Sequence, residues 1–413
     1  MTQRIQSQKG FVVIATATLV IALLVGFTGS VVALYVSQNK VARNIMRAQQ
    51  SLYASESGIE DAMLRLKKNL QLPSSYAMTV DGATATVAVS DLPGASRTIT
   101  VEGNSQNRMR TMSAAAQISA DAVALYYGAH IGARGLRMEN LSKIIGNVFS
   151  NGNIDGDSGA EITGTAQVAG AGGKIEDVKI GGDAYADACE EATIVGTLYG
   201  NVQSGCTYAS FVPQGAPLDP VALPIAESQI TEWKLEAEAG GVIQGDYLLS
   251  GSSHSSLGPK KIVGNLTVEM SAQLSLTGTL WVTGNVLVKN NANVRLSGGY
   301  GNNSGILVSD GTVTLQNNSV SAGSGQTGSY LMYLSTSSSD SAITVKNLTR
   351  ADILYAANGS VQVVNNIYVR EITGLGVTIK NNTQIQYESG LSQTAFISGP
   401  GGAWTVSNWK EVE

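Results

Sequence analysis

The chain has 413 residues, 43% of them hydrophobic but only 14% charged, with a formal net charge of −5. That balance argues against a basic nucleic-acid binder and against a disordered chain. With 2 Cys and 2 His there is no disulfide-dense scaffold, no four-cysteine zinc centre and little material for His-based catalysis. The first ten residues, MTQRIQSQKG, are polar and carry Arg4 and Lys9; residues 11–36 carry no charge. As a helix that run rises about 39 Å, enough for a hydrocarbon core of about 30 Å. The cations precede it, so the rest of the chain is expected outside the cytoplasm.

A secretory signal peptide has an apolar core of about 7–15 residues followed by a small-residue cleavage site. Here the small residue, Gly10, precedes the apolar run and is followed by Phe11. This arrangement resembles the class III leader of type IV prepilins. The resemblance implies cleavage between Gly10 and Phe11 by a prepilin peptidase, methylation of the new N-terminus and retention of the apolar run. A plain single-pass anchor is the alternative.

No proline interrupts the chain from there to Pro73, and Ile45, Met46, Leu52, Ile59, Met63, Leu66 and Leu70 form a partly apolar stripe. The stretch SLYASESGIEDAMLRL resembles the amphipathic half of the first helix in PilX-like minor pilins. Most pilins carry a glutamate five residues into the mature chain, where it is thought to neutralise a neighbour's terminal amine. Here that position is Ala15. The departure points to a minor or tip subunit, or to a membrane-held relative that never polymerises.

Residues 73–120 read as a small antiparallel sheet. Asp81-Gly82 is a hairpin signal, and Val87, Val89, Ile99 and Val101 alternate onto one buried face. Residues 121–215 have short apolar pairs separated by Gly, Asn and Asp, the texture of short strands stacked by turns. Cys189 and Cys206 lie here, a candidate disulfide outside the cytoplasm, with two independent thiols as the alternative. Residues 216–242 break the β texture: Ile230, Trp233 and Ala237 share a helical face, ended by Gly240-Gly241, and the helix is expected to cap or bridge two β segments.

Residues 243–413 carry a repeat. LTVEMSAQLSLTG (266–278) matches VLVKNNANVRLSG (286–298) at an offset of 20 residues, and the pattern returns at 313–320, 343–353 and 377–387. Apolar residues at spacing two fit the interior of a parallel β-solenoid, and Asn suits left-handed corners. Asn290-Asn291, Asn317-Asn318, Asn347 and Asn381-Asn382 are expected there, stacked as ladders. A β-sandwich is the alternative. The later offsets of 27, 30 and 34 residues read as inserted loops.

The best acidic cluster is Asp155, Asp157 and Glu161, but Ser158 and Gly164 break the EF-hand pattern, so ordinary turn chemistry stands beside calcium binding. No catalytic constellation or cofactor motif is present. The fold class expected is therefore mostly β: a long N-terminal transmembrane helix, a small antiparallel sheet, then a parallel solenoid with one inserted helix. The resemblance implies a minor pilin or pilin-related surface protein that displays the solenoid for adhesion or pilus assembly. Its implied partners are the prepilin peptidase, the pilus assembly platform, other pilin subunits and the membrane, with no nucleic acid expected. The alternatives are a membrane-tethered carbohydrate-active enzyme and a structural envelope protein outside any filament.

Overall fold

Without a proline until position 73, the N-terminal region forms one helix, α1 (Ile5–Lys67). The computed structural model describes residues 5–67, 72–92, 96–118, 120–123, 125–157, 159–397 and 404–412. The second half of α1 lies on an antiparallel sheet of β1 (Ser75–Val80), β2 (Ala83–Leu92), β3 (Ser96–Ser105) and β4 (Arg108–Ile118). Asp81 and Gly82 both have positive φ, the backbone that a two-residue hairpin needs. Ala54, Ile59, Ala62 and Met63 pack against Val87, Ile99, Val101 and Ala114. The approach is close: a Cβ on Gly103 would lie 1.9 Å from the Ser51 carbonyl oxygen. Small residues thus form much of the buried helix face, whereas Ile45 and Met46 of the expected stripe are exposed. Leu70 lies outside the described residues.

The sheet has a fifth strand, and it comes from the other end of the chain. Trp404–Val412 pairs antiparallel with β4, from Trp404 opposite Ile118 to Val412 opposite Thr111. The expected solenoid segment 243–413 therefore ends too late, because its last strand belongs to the helix-packed sheet. The solenoid is an insertion between β4 and this strand. An antiparallel ribbon of Ala120–Val123 with Thr394–Ile397 joins the two parts.

The solenoid has three parallel ladders around one apolar core. On the second face Leu266 and Val268 stack on Val286 and Val288, and these on Val313 and Leu315, all fully or almost fully buried. The alternating side chains point outward as Thr267, Leu287 and Thr314, so a period of two places apolar residues inside and the rest outside. The expected 20-residue offset is one coil.

The segments 121–215 and 243–413, read separately in the sequence, form a single stack. The coil at Tyr368–Lys380 pairs in parallel with Ala129–Glu139, with Ile372 opposite Ala129 and Val377 opposite Leu136. Gln384 continues the seam opposite Lys143. The chain therefore joins the stack at its middle and winds to one end at Ser210–Pro213. It then crosses to the opposite end at Val242–Gln244 and winds back to the middle.

The crossing segment contains α2 (Glu227–Ala239), which lies along the outside of the first face. There the strands Gly305–Ser309 and Leu331–Ser335 are buried on both sides. Their outward residues Ile306, Val308, Met332 and Leu334 form a second core with Ile230, Trp233 and Phe396. Lys234 and Lys261 lie over the Trp281 ring, 5.7 and 3.9 Å from its centroid, and Trp281 Nε1 donates to Asp310 Oδ2 at 2.8 Å. The helix is thus a side cover rather than a plug between two β units.

Candidate functional site

Among the described residues, nothing packs on the apolar first half of α1. From Phe11 to Val36 its large residues are exposed, Phe11 by 75%, and the helix is long and apolar enough to cross a membrane, with a mean hydropathy of 2.5 over its most apolar 18 residues. Over that stretch the threonine and serine hydroxyls are satisfied within the helix. Thr16 donates to the Val12 carbonyl at 2.9 Å, Thr18 to Ile14 at 2.8 Å and Ser30 to Gly26 at 2.9 Å. Such back-bonding removes the penalty of a bare hydroxyl in hydrocarbon. Gly10 and Phe11 are both helical, and Ala15 is exposed on the apolar segment, which holds no carboxylate between residues 11 and 36.

Cys189 and Cys206 are joined by a disulfide. Cys189 points into the solenoid core from Ala188–Glu190, and Cys206 follows Val202–Ser204, the strand stacked on it. The bond fastens the last coils at that end of the stack.

Asp155 and Glu161 fall on different faces. Asp155 pairs with Arg137 at 3.1 Å on the second face. Glu161, on the third, sits between Lys143 at 2.7 Å and Lys179 at 3.0 Å, one on each neighbouring coil. The Lys143 and Lys179 ammoniums hold its carboxyl below the usual carboxylate range. A carboxylate so held stays ionised and is a poor proton donor. Asp157, on the corner after Asp155, faces the field of Arg137. Among the described residues no group of three or more His, Cys, Asp or Glu is arranged to hold a metal ion.

Two features carried no sequence signal. Glu371 is buried, and burial pushes its carboxyl up to about 8, against the hydroxyl donated by Thr373 at 2.6 Å. Its second oxygen has no hydrogen-bond partner among the described residues. The other is a polar groove of about 460 Å³ on the third face, lined by His254, Ser256, Gln273, Ser275, Asn293 and Arg295. Each of these is an outward position of an ordinary solenoid strand, so only the three-dimensional stacking brings them together.

No sequence-family model matches this chain, and no curated protein matches it. Among solved structures, the crystal structure of the competence-associated pilin ComZ from Thermus thermophilus is similar over 89% of this chain and 97% of that chain. The identity is 11% and the TM-score 0.26, too low to establish a common fold.

Proposed function

We propose that this chain is a membrane-anchored, pilin-related surface protein that holds a β-solenoid outside the cytoplasm. One observation carries the reading: a single helix is bare and apolar from Phe11 to Val36 and then becomes the spine of an antiparallel sheet. That sheet is closed by the C-terminal strand, so the solenoid is a large insertion into the helix-packed unit. The apolar half is the membrane anchor and the surface for packing against other pilin helices.

In the finer reading it is a PilX-like minor subunit. A prepilin peptidase cuts between Gly10 and Phe11, and the assembly platform receives the product. Ala15 leaves the anchor without an acid to meet a neighbour's terminal amine, which suits a subunit present in few copies or at a tip. An unpaired ammonium in that apolar environment is costly.

Replacing Gly10 by Leu tests the reading. The expected result is a membrane-bound chain heavier than the wild type by the uncut leader. An unchanged mass, with or without the peptidase, would contradict the prepilin part. Recovery of the wild type in the soluble fraction would contradict the anchor.

A further inference from the structure

The third-face groove is lined by polar side chains and one arginine. Its floor is two rows of side chains on three successive coils. His254, Gln273 and Asn293 are in register in one row, and Ser256, Ser275 and Arg295 in the other. Successive coils stand about 4.8 Å apart. The rows therefore present an evenly spaced lattice of hydroxyl and amide groups with one guanidinium at its edge.

Among the described residues no carboxylate lines this groove. Several cations of the solenoid are spent on neighbouring acids: Lys143 and Lys179 on Glu161, Arg137 on Asp155, Lys289 on Glu269, Arg370 on Asp352. Arg295 is not among them. Its Nε donates to Asn293 Oδ1 at 2.9 Å, and it makes no ion pair among the described residues. It is exposed, and it also borders the adjoining groove beneath the glycine-rich loop at 323–329.

The chemistry selects the ligand. Gln273–Leu276 and Asn293–Leu296 spend their backbone N–H and C=O groups on the coils at either side, so a peptide gains strand-addition bonds only at the outer edge of His254–Leu257, at the end of the stack, and not across the groove. A nucleic acid needs several cations along its phosphates and aromatic rings for its bases. Among the described residues the groove offers one arginine and no Phe, Tyr or Trp. A chain rich in hydroxyls matches the serine, glutamine and asparagine rows, and a carboxylate on it meets the guanidinium in a charge-assisted, two-pronged contact. We propose that this groove binds an acidic oligosaccharide lying across the three coils, with Arg295 holding a uronate carboxylate.

The site does not depend on processing or filament assembly. If the chain is anchored but binds no sugar, this proposal alone fails; if it binds sugar but is not anchored, the anchor reading alone fails.

The test is titration of the full chain in detergent with oligogalacturonate, oligomannuronate and fully methyl-esterified oligogalacturonate. At least one uronate is expected to bind, and its neutral ester at least tenfold more weakly. Arg295→Gln is expected to weaken uronate binding at least tenfold, and Ser275→Trp to block the groove. Both residues face outward, and an unchanged melting temperature checks the fold. If Arg295→Gln unfolds the chain, Ser275→Trp and the ester comparison decide. Failure of both uronates to bind would overturn the proposal. So would binding indifferent to both substitutions, or displacement of the uronate by single-stranded DNA at equal concentration.

Discussion

The side-chain amide of Asn140 donates to Asn381 Oδ1 at 2.8 Å, across a sequence separation of 241 residues. The bond belongs to a ladder on one corner of the solenoid. Asn317 donates to Asn290, Asn347 to Asn317, Asn365 to Asn347 and Asn381 to Asn365, at 3.1, 3.0, 3.0 and 2.7 Å. All six asparagines have φ between 52° and 73°, the left-handed region that Asn tolerates. The ladder runs unbroken over the seam where the last-wound coil meets the first, and it makes one stack of two stretches of chain.

Asn381 sits at that seam, bonded to both Asn365 and Asn140. Asn381→Ala loses both bonds and puts an ordinary residue at φ 57°. The expected loss is about 2 kcal/mol, from about 1 kcal/mol of backbone strain and the two exposed hydrogen bonds. Asn381→Gly keeps the conformation and loses only the bonds, so it should lose about half as much. Denaturant unfolding of the two variants checks the order.

The disulfide predicts a local effect. Replacing Cys189 and Cys206 together by Ser opens a loop with a sequence separation of 17. In the chain-entropy model such a loop is worth about 3 kcal/mol. Hydrogen exchange should quicken in Thr197–Gly200 and Ser210–Pro213 and stay unchanged at the seam strands Ala129–Glu139 and Tyr368–Lys380.

Glu371 predicts a pH dependence. Its carboxyl ionises near 8 in the folded chain against 4.5 ordinarily. The unfolded chain therefore releases this proton first, and stability falls as pH rises from about 4.5 to 8, at up to about 1.4 kcal/mol per pH unit. Glu371→Gln removes that slope and should melt above the wild type at pH 8.5, with little difference at pH 4. His130 works from the other side. Burial lowers its value, so its contribution is lost as pH falls through the ordinary imidazole range near 6.5. Melting curves of both proteins from pH 4 to 9 test the pair.

Gly103 predicts where the helix spine is tightest. Gly103→Ala drives a methyl into the Ser51 carbonyl and should destabilise the helix-packed sheet by about 1–3 kcal/mol. Exchange should rise in β2 and β3, while the solenoid strands keep their protection.

The β texture, the Asp81-Gly82 hairpin, the helix near Trp233 and the asparagine corners were legible because each is a local pattern. The seam was not. Nothing in the sequence of Ala129–Glu139 records that its partner is Tyr368–Lys380, since parallel stacking asks only for matched apolar spacing, which every coil shares. The 34-residue step from Asn347 to Asn381 misleads for a related reason. It holds a further corner at Asn365-Asn366, so it is two coils and not one with a loop. The strand Arg350–Val364 turns the preceding corner through an irregularity between Ala356 and Ser360, at Asn358-Gly359 rather than at a paired asparagine. The closing strand Trp404–Val412 was equally hidden, because its pairing with β4 is a contact between distant parts of the chain. The groove around Arg295 needs three coils in register before its rows exist at all.

The measurement that bears most directly on the account is the mass of the N-terminal peptide of the chain recovered from the membrane of its own cell. A chain that begins at a methylated Phe11 and keeps residues 11–36 is the expected result. A chain that begins beyond Val36 and is released from the membrane would contradict it.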